Sequence, residues 1–293
     1  EGDMTRLLIN GIHLNVEDSG GEGPALMLLH GFTGDATTWE PFLDAWSQFK
    51  TIRVDIIGHG KSDSPPDPAR YTMEHAVVDL TALLDQLGVE QTVLLGYSMG
   101  GRLALHLALA APERISALFL ESASPGIEDP QEREARRASD AALAASIERD
   151  GIEAFVDRWQ AQPLFASQSS LPRDVRERQR AQRLAQNPLG LANSLRGMGA
   201  GSQAYLLPRL ASLKVPALFV AGALDARYVA EAQRMAGAVP GSACEVIPDA
   251  GHAAHLEQPE AFAATVGRFL RTTPVGVAGQ RPLQRHHHEE VTS

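Results

Sequence analysis

Hydrophobic and polar positions along the chain form two alternating textures. Short apolar runs of strand length occur at 25–29, 92–96, 115–120, 218–221 and 245–247, and 51–57 is another run rich in β-branched side chains. Runs of this kind suit strands buried on both faces. Between them lie segments in which apolar residues return every three or four positions. In 72–87 these are Met73, Ala76, Val77, Leu80, Leu83, Leu84 and Leu87, with Gly88 placed as a C-cap. That spacing predicts an amphipathic helix. Helices are also predicted over 102–111, stopped by Pro112, and over 260–271. Residues 6–9 and 12–17 flank Asn10-Gly11, a pair that accepts the positive φ values of a type I′ turn, so the chain is predicted to open with a β-hairpin. Strands alternating with helices predict an α/β fold with a mostly parallel sheet and helices on both faces.

The alternation stops after residue 122 and resumes near 206. Residues 123–205 are polar, rich in Arg and Glu, and show helical periodicity with no convincing buried strand. They are predicted to form a helical cap inserted over the carboxyl ends of the strands, with 1–122 and 206–271 as the core. By composition the insertion is too polar to be an obvious independent core. Residues 272–293, with Pro274, Gly276, Gly279, Pro282 and the run His286-His287-His288, read as a mobile tail. For the His triplet a tag remnant or solvated tail is a more natural reading than a metal site.

Composition narrows the function classes. The 293 residues are about twice a ~150-residue domain length, which allows two small domains or one α/β unit with an insertion. A hydrophobic share of 44% against 21% charged residues supports a sizeable core and excludes a disordered chain. The net charge of −10 argues against nucleic acid as a partner. It is unevenly spread: 123–205 holds eleven Arg and eleven acidic residues, so the whole deficit belongs to the rest of the chain. Cys244 is the one cysteine, which rules out an internal disulfide and fits a reducing compartment. No apolar run approaches the ~18 residues of a membrane span, and 1–10 lacks a basic segment leading into an apolar one. The expectation is a cytoplasmic protein with no stable membrane insertion.

The most specific chemical signal is Gly96-Tyr97-Ser98-Met99-Gly100, a G-x-S-x-G motif that follows a predicted strand and precedes a predicted helix. A sharp strand-to-helix turn needs small residues around the serine and lifts its Oγ clear of the sheet. A serine hydroxyl is a weak nucleophile and a poor base at neutral pH, so a histidine and an orienting carboxylate should follow. Asp225 lies just past the strand at 218–221, and His252 just past that at 245–247. Loops at the carboxyl ends of successive strands converge at one edge of the sheet, and the order Ser98, Asp225, His252 suits a hydrolase triad. His255 competes with His252 but lacks the preceding glycine. Asp249 competes with Asp225, but its closeness to His252 suits a cap or turn. An oxyanion hole needs two donors. The N–H of Met99 is the first, and the N–H of Phe32 in His30-Gly31-Phe32 is the second. The ring of His30 is expected to fix that loop by hydrogen bonds, and Asp55 with Gly58-His59-Gly60 and Ser62 to form a structural loop.

These motifs resemble the α/β-hydrolase fold over about residues 25–271. Within it the chain is similar to the 2-succinyl-6-hydroxy-2,4-cyclohexadiene-1-carboxylate synthases of menaquinone biosynthesis. The narrower resemblance rests on Leu29-His30-Gly31-Phe32-Thr33-Gly34 with Trp39, on Gly96-Tyr97-Ser98-Met99-Gly100-Gly101-Arg102, on Glu121-Ser122-Ala123-Ser124-Pro125-Gly126, on Trp159 with Gln162-Pro163-Leu164-Phe165, and on Ser194-Leu195-Arg196-Gly197-Met198-Gly199. Two positions depart from the pattern. Ala223 stands where an acidic residue is frequent, and Ile57 where proline is usual.

The resemblance implies a lyase that eliminates pyruvate from a small tricarboxylate without metal or organic cofactor, Ser98 acting as a base. A serine carboxylesterase or C–C bond hydrolase, or a ligand receptor with vestigial chemistry, are the alternatives. Arg102, four residues after the serine, leans toward the helix N-terminus and can reach the site. A cation there opposes the helix dipole by ~0.3–1 kcal/mol, which favours a substrate role over a purely structural one. The resemblance also implies Arg136 and Arg183 as carboxylate binders, with Arg137 and Arg180 as the nearest alternatives, and Tyr97 and Trp159 as substrate-lining aromatics. The choice of arginine carries little weight by itself, since the chain has 23 Arg and 3 Lys.

Overall fold

A computed structural model describes residues 3–273. The tail with its His triplet lies outside the described residues, except that Thr272 ends the last helix and Thr273 caps it. The hairpin is present as β1 (Asp3–Ile9) and β2 (Ile12–Asp18), joined at Asn10 and Gly11 with φ of 46° and 84°. Then follow β3 (Ala25–Leu29), β4 (Lys50–Val54), α1 (Met73–Gln86), β5 (Thr92–Tyr97), α2 (Met99–Ala110) and β6 (Ile115–Glu121). Beyond the insertion comes β7 (Ala217–Gly222). The run at 51–57 is strand only to Val54. Asp55, Ile56 and Ile57 turn out of the sheet into a loop in which the Asp55 carboxylate accepts from the N–H groups of Ala36 (2.6 Å) and Lys61 (2.8 Å) and from Asn15 Nδ2 (2.9 Å).

The insertion consists of α3 (Pro130–Gln160), broken at Gly151 where φ is 81° and ψ 176°, a 3₁₀ stretch at Pro163–Ser170, α4 (Arg173–Leu184) and α5 (Pro188–Met198). The rest of the fold is α6 (Ala226–Ala238), β8 (Ala243–Ile247), α7 (Ala254–Glu257) and α8 (Pro259–Thr272). The eight strands form one sheet in the order β1-β2-β4-β3-β5-β6-β7-β8. The β1–β2 and β2–β4 pairs are antiparallel and all others parallel. Two apolar cores lie on opposite faces. Side chains of α1, α2 and α6 fill one, including Leu80, Leu84, Leu103, Leu107 and Met235. Trp39, Phe42 and Trp46 with Phe262, Val266 and Phe269 of α8 fill the other.

The insertion is less polar inside than its composition suggests. Ala144, Ile147, Phe155, Val156, Leu191, Ala192 and Leu195 form a third buried cluster between α3 and α5, with Phe32 of the β3 loop packed against it. Seven apolar residues spread over two helices and a break leave little periodic trace in the sequence. Through Phe32 this cluster meets the loop that follows β3. Among the described residues no helix is long and apolar enough to cross a membrane.

Candidate active site

The chain turns sharply between β5 and α2. Ser98 has φ 50° and ψ −108°, a region a non-glycine residue occupies at a cost of order 1–3 kcal/mol. Its surroundings hold it there: its N–H donates to Glu121 O (2.8 Å) and its carbonyl accepts from Arg102 N–H (2.9 Å). The turn is possible because the helix backbone lies almost on β3. A Cβ on Gly100 would stand 2.4 Å from the carbonyl oxygens of both Leu29 and His30.

Ser98 Oγ lies 3.0 Å from His252 Nε2, and His252 Nδ1 lies 2.8 Å from Asp225 Oδ2. Asp225, at the N-cap of α6, also accepts from the N–H of Tyr228 (3.3 Å). The carboxylate is thus anchored by its own helix while it holds the imidazole. His252 is 2% exposed and Asp225 9%. With Asp225 as acceptor the proton sits on Nδ1, leaving Nε2 free to take one from Ser98. The arrangement can activate the serine oxygen as nucleophile or as base.

The two competing residues are engaged elsewhere. His255 Nδ1 lies 2.9 Å from Glu121 Oε2, on the far side of Tyr97. Asp249 sits in a tight turn at φ 56°. His30 bridges two loops: its Nδ1–H donates to Gly31 O (2.8 Å) and its Nε2 accepts from Ile56 N–H (3.0 Å). Burial lowers its pKa, in keeping with a neutral ring in that role.

The Met99 N–H opens α2 and has no intrahelical acceptor. The Phe32 loop is pressed against the serine: a Cβ on Gly31 would come within 2.6 Å of the Tyr97 ring and 3.5 Å of Ser98 Cβ. From above, the Phe32 ring is gripped edge-on by Trp159 (5.2 Å between centroids) and Phe155 (6.2 Å). Trp159 therefore belongs to the aromatic roof over the Phe32 loop, where it also meets Phe165 (5.6 Å).

The arginines divide sharply. Arg183, at the end of α4, is 5% exposed, and among the described residues it has no carboxylate within ion-pair distance. Its guanidinium lies over the Phe165 ring at 5.2 Å. With Tyr97, Gly31, Phe165 and His255 it lines a cavity of about 370 Å³. Burial lowers its pKa to about 10, so it stays cationic at neutral pH, and burial drives the Tyr97 hydroxyl well above its usual value. Arg102 is half-buried, and among the described residues it has no carboxylate within ion-pair distance. Its Nη1 donates to Met198 O (2.7 Å) at the C-terminus of α5 and to Gln203 Oε1 (2.6 Å). A cation that opposes the dipole of its own helix thus complements that of another. Burial lowers its pKa to about 10 as well, with nearby Arg136 adding to the effect. Arg136 itself pairs with the buried Asp140 at 2.8 Å. Of the alternatives, Arg137 pairs with Glu134 (2.8 Å) and Arg180 with Asp157 (2.8 Å), both toward solvent.

Two residues at the site, Tyr228 and Glu257, were not singled out from sequence. Tyr228 stands edge-on to His252 at 4.5 Å, and Phe165 at 6.1 Å. Glu257 accepts from the N–H groups on either side of His252, Gly251 (2.7 Å) and Ala253 (3.3 Å). The position of Tyr228, three residues after Asp225 on α6, was the available clue. For Glu257 there was none, because a glutamate on a short helix looks like any solvated acid.

Comparison with known proteins identifies the family. The alpha/beta hydrolase fold family matches residues 24–259. A Bacillus subtilis (strain 168) protein provisionally named 2-succinyl-6-hydroxy-2,4-cyclohexadiene-1-carboxylate synthase is 42% identical, over 92% of this chain and 98% of its own. The Serratia proteamaculans (strain 568) protein that carries the same name is 31% identical over 84% of this chain and 93% of its own. The solved structure of MenH from S. aureus superposes with a TM-score of 0.84 at 36% identity, covering 88% of this chain and 98% of that one. The chain belongs to the α/β-hydrolase fold family and, within it, to the 2-succinyl-6-hydroxy-2,4-cyclohexadiene-1-carboxylate synthases.

Proposed function

We propose that this protein eliminates pyruvate from 2-succinyl-5-enolpyruvyl-6-hydroxy-3-cyclohexene-1-carboxylate to give 2-succinyl-6-hydroxy-2,4-cyclohexadiene-1-carboxylate, in cytoplasmic menaquinone synthesis. The observation that carries this reading is Arg183. A buried guanidinium with no acid beside it costs several kcal/mol to desolvate, and a carboxylate from the ligand is what repays that cost. A neutral ester offers no such partner.

Ser98, Asp225 and His252 are assigned to the chemistry. Nε2 of His252 takes the Ser98 proton, and the serine oxygen removes the proton from the ring carbon that bears the succinyl ketone. The electron pair moves onto the ketone oxygen, where the N–H groups of Phe32 and Met99 hold the enolate. As it returns, double bonds form at C2–C3 and C4–C5 and the C5–O bond breaks. Enolpyruvate departs and is protonated on carbon as pyruvate. Asp225 orients the imidazole and stabilises its cation. No metal or organic cofactor is needed for these steps.

Arg102, Arg136 and Arg183 are assigned to the three carboxylates, and Tyr97 and Trp159 to the walls. Residues 123–205 act as a cap over a core of 1–122 and 206–271. Arg102 carries two duties, since it also ties α2 to the C-terminus of α5. The test is release of pyruvate from the enolpyruvyl substrate by the wild-type protein and its loss in Ser98→Ala.

A further inference from the structure

Beside Ser98, His252 and Asp225 there is a second carboxylate–histidine pair that this chemistry does not use. Glu121 is the last residue of β6 and is 0% exposed. Its Oε1 accepts from the backbone N–H of His255 (3.0 Å), and both oxygens lie within 2.9–3.0 Å of His255 Nδ1. Burying a carboxylate so completely is costly, and a histidine partner at this spot must hold a geometry worth that cost.

The pair sits at a junction. The main chain of Glu121 pairs in register with Tyr97, and its carbonyl accepts the Ser98 N–H at 2.8 Å. Its side chain holds His255, three residues after His252 on α7. The His255 ring stands edge-on to Tyr97 at 4.6 Å and is backed by Trp39 at 5.4 Å. On its other side Tyr97 presses on Gly31, the residue before Phe32. One glutamate therefore touches the nucleophile's backbone directly, the histidine loop through His255, and the Phe32 loop through His255 and Tyr97.

The geometry points to Glu121 and His255 as positioning residues that set the distance between Ser98, His252 and the Phe32 N–H. This rests on the reading of Ser98 and His252 as reactive partners, but not on the identity of the substrate. The pair orders the site before substrate arrives, so its loss lowers the rate of the chemical step, and removing the charge of Glu121, which does not line the Arg183 cavity, leaves anion binding nearly intact.

The test uses two variants of the full chain. In His255→Asn the amide can still donate to Glu121 while the ring behind Tyr97 is lost. In Glu121→Gln the shape is kept and the charge removed. Labelling of Ser98 by a fluorophosphonate reads the reactivity of the serine whatever the natural substrate is, and pyruvate release reads kcat and KM separately. A misplacement of about 1 Å can cost ~100-fold in rate, so labelling and kcat are expected to fall together by about 10- to 100-fold in His255→Asn, whereas Glu121→Gln, which leaves the lining of the Arg183 cavity untouched, is expected to change KM less than about twofold. Glu121→Gln is expected to fall between that variant and wild type. Labelling at the wild-type rate in both variants, a rise in KM without loss of kcat, or a wild-type Ser98 that the reagent does not label, overturns the proposal. Labelling that follows the expected order in a protein releasing no pyruvate would instead leave the positioning role standing and remove the proposed substrate.

Discussion

The strand-end site and the helical insertion handle charge in opposite ways. At the strand ends, ionisable groups are buried, short-bonded and arranged in chains: Ser98 to His252 to Asp225, and His255 to Glu121. In the insertion most arginines are paired with an acid, largely at the surface, as in Arg173–Glu177, Arg178–Asp174 and Arg196–Glu148. Arg183 breaks that pattern by turning inward alone. A functional charge here is recognised less by what it is than by what it lacks: among the described arginines of the insertion, the informative one is the one that is buried with no carboxylate to neutralise it.

The largest expected effect lies at the strand ends. Ser98→Ala should lower pyruvate release by ~10⁴-fold or more while leaving the thermal midpoint nearly unchanged, because alanine keeps the Cβ and the backbone of the turn and removes only the hydroxyl. A residual rate within 10-fold of wild type would dissolve the contrast by moving the chemistry away from the elbow. Next comes Arg183→Met. A hydrogen bond to a charged group is worth about 1.5–3 kcal/mol, so KM for the enolpyruvyl substrate should rise by about 10- to 100-fold, with hydrolysis of any neutral ester nearly unaffected. Arg102→Ala should also favour neutral over anionic substrates. Equal losses on both would mean that its bonds to Met198 and Gln203 are its whole role.

The fold was largely legible because strand and helix periods differ. Residues 25–29, 92–96 and 115–120 are short and mainly apolar, and G-x-S-x-G marks the turn between β5 and α2. The residues after β7 and β8 could be placed at one sheet edge for the same reason, which is how Asp225 and His252 could be paired with Ser98 on paper. The insertion resisted reading because arginine is polar in any pattern. In α4, Arg176, Arg180 and Arg183 recur at helical spacing, so periodicity gives them one face, yet burial belongs to Arg183 alone because Phe165 from the preceding 3₁₀ stretch covers it. Partners such as Glu257 are set by tertiary contacts that no local signal announces.

A smaller effect separates the regions by pH. Burial holds His59 down to about 3 and His106 to about 4, and lowers His30 too, so all three are neutral in the folded core. In the unfolded chain they protonate near pH 6.5, so below that pH the unfolded state binds more protons. Stability should therefore fall as pH drops from about 6.5 toward 4, by at most ~1.4 kcal/mol per pH unit for each histidine, and these groups should add no slope above pH ~7.5. Urea unfolding at stepped pH reads this directly, and a flat profile between pH 7 and 5 would contradict the neutral core. The smallest effect is expected at the exposed pairs of α4. Arg173→Ala and Arg178→Ala should change unfolding free energy by no more than ~0.5 kcal/mol and leave KM unaltered. A KM change as large as that of Arg183→Met would mean that the surface arginines, too, meet the substrate.

The central claim, that this serine works as a base in an elimination rather than as an acyl nucleophile, is tested most directly with substrate deuterated at the ring carbon bearing the succinyl ketone. Pyruvate release, followed through a coupled lactate dehydrogenase, should occur with wild-type protein and slow on deuteration, and should vanish in Ser98→Ala. Efficient hydrolysis of neutral p-nitrophenyl esters with no pyruvate formed from the enolpyruvyl substrate would contradict it.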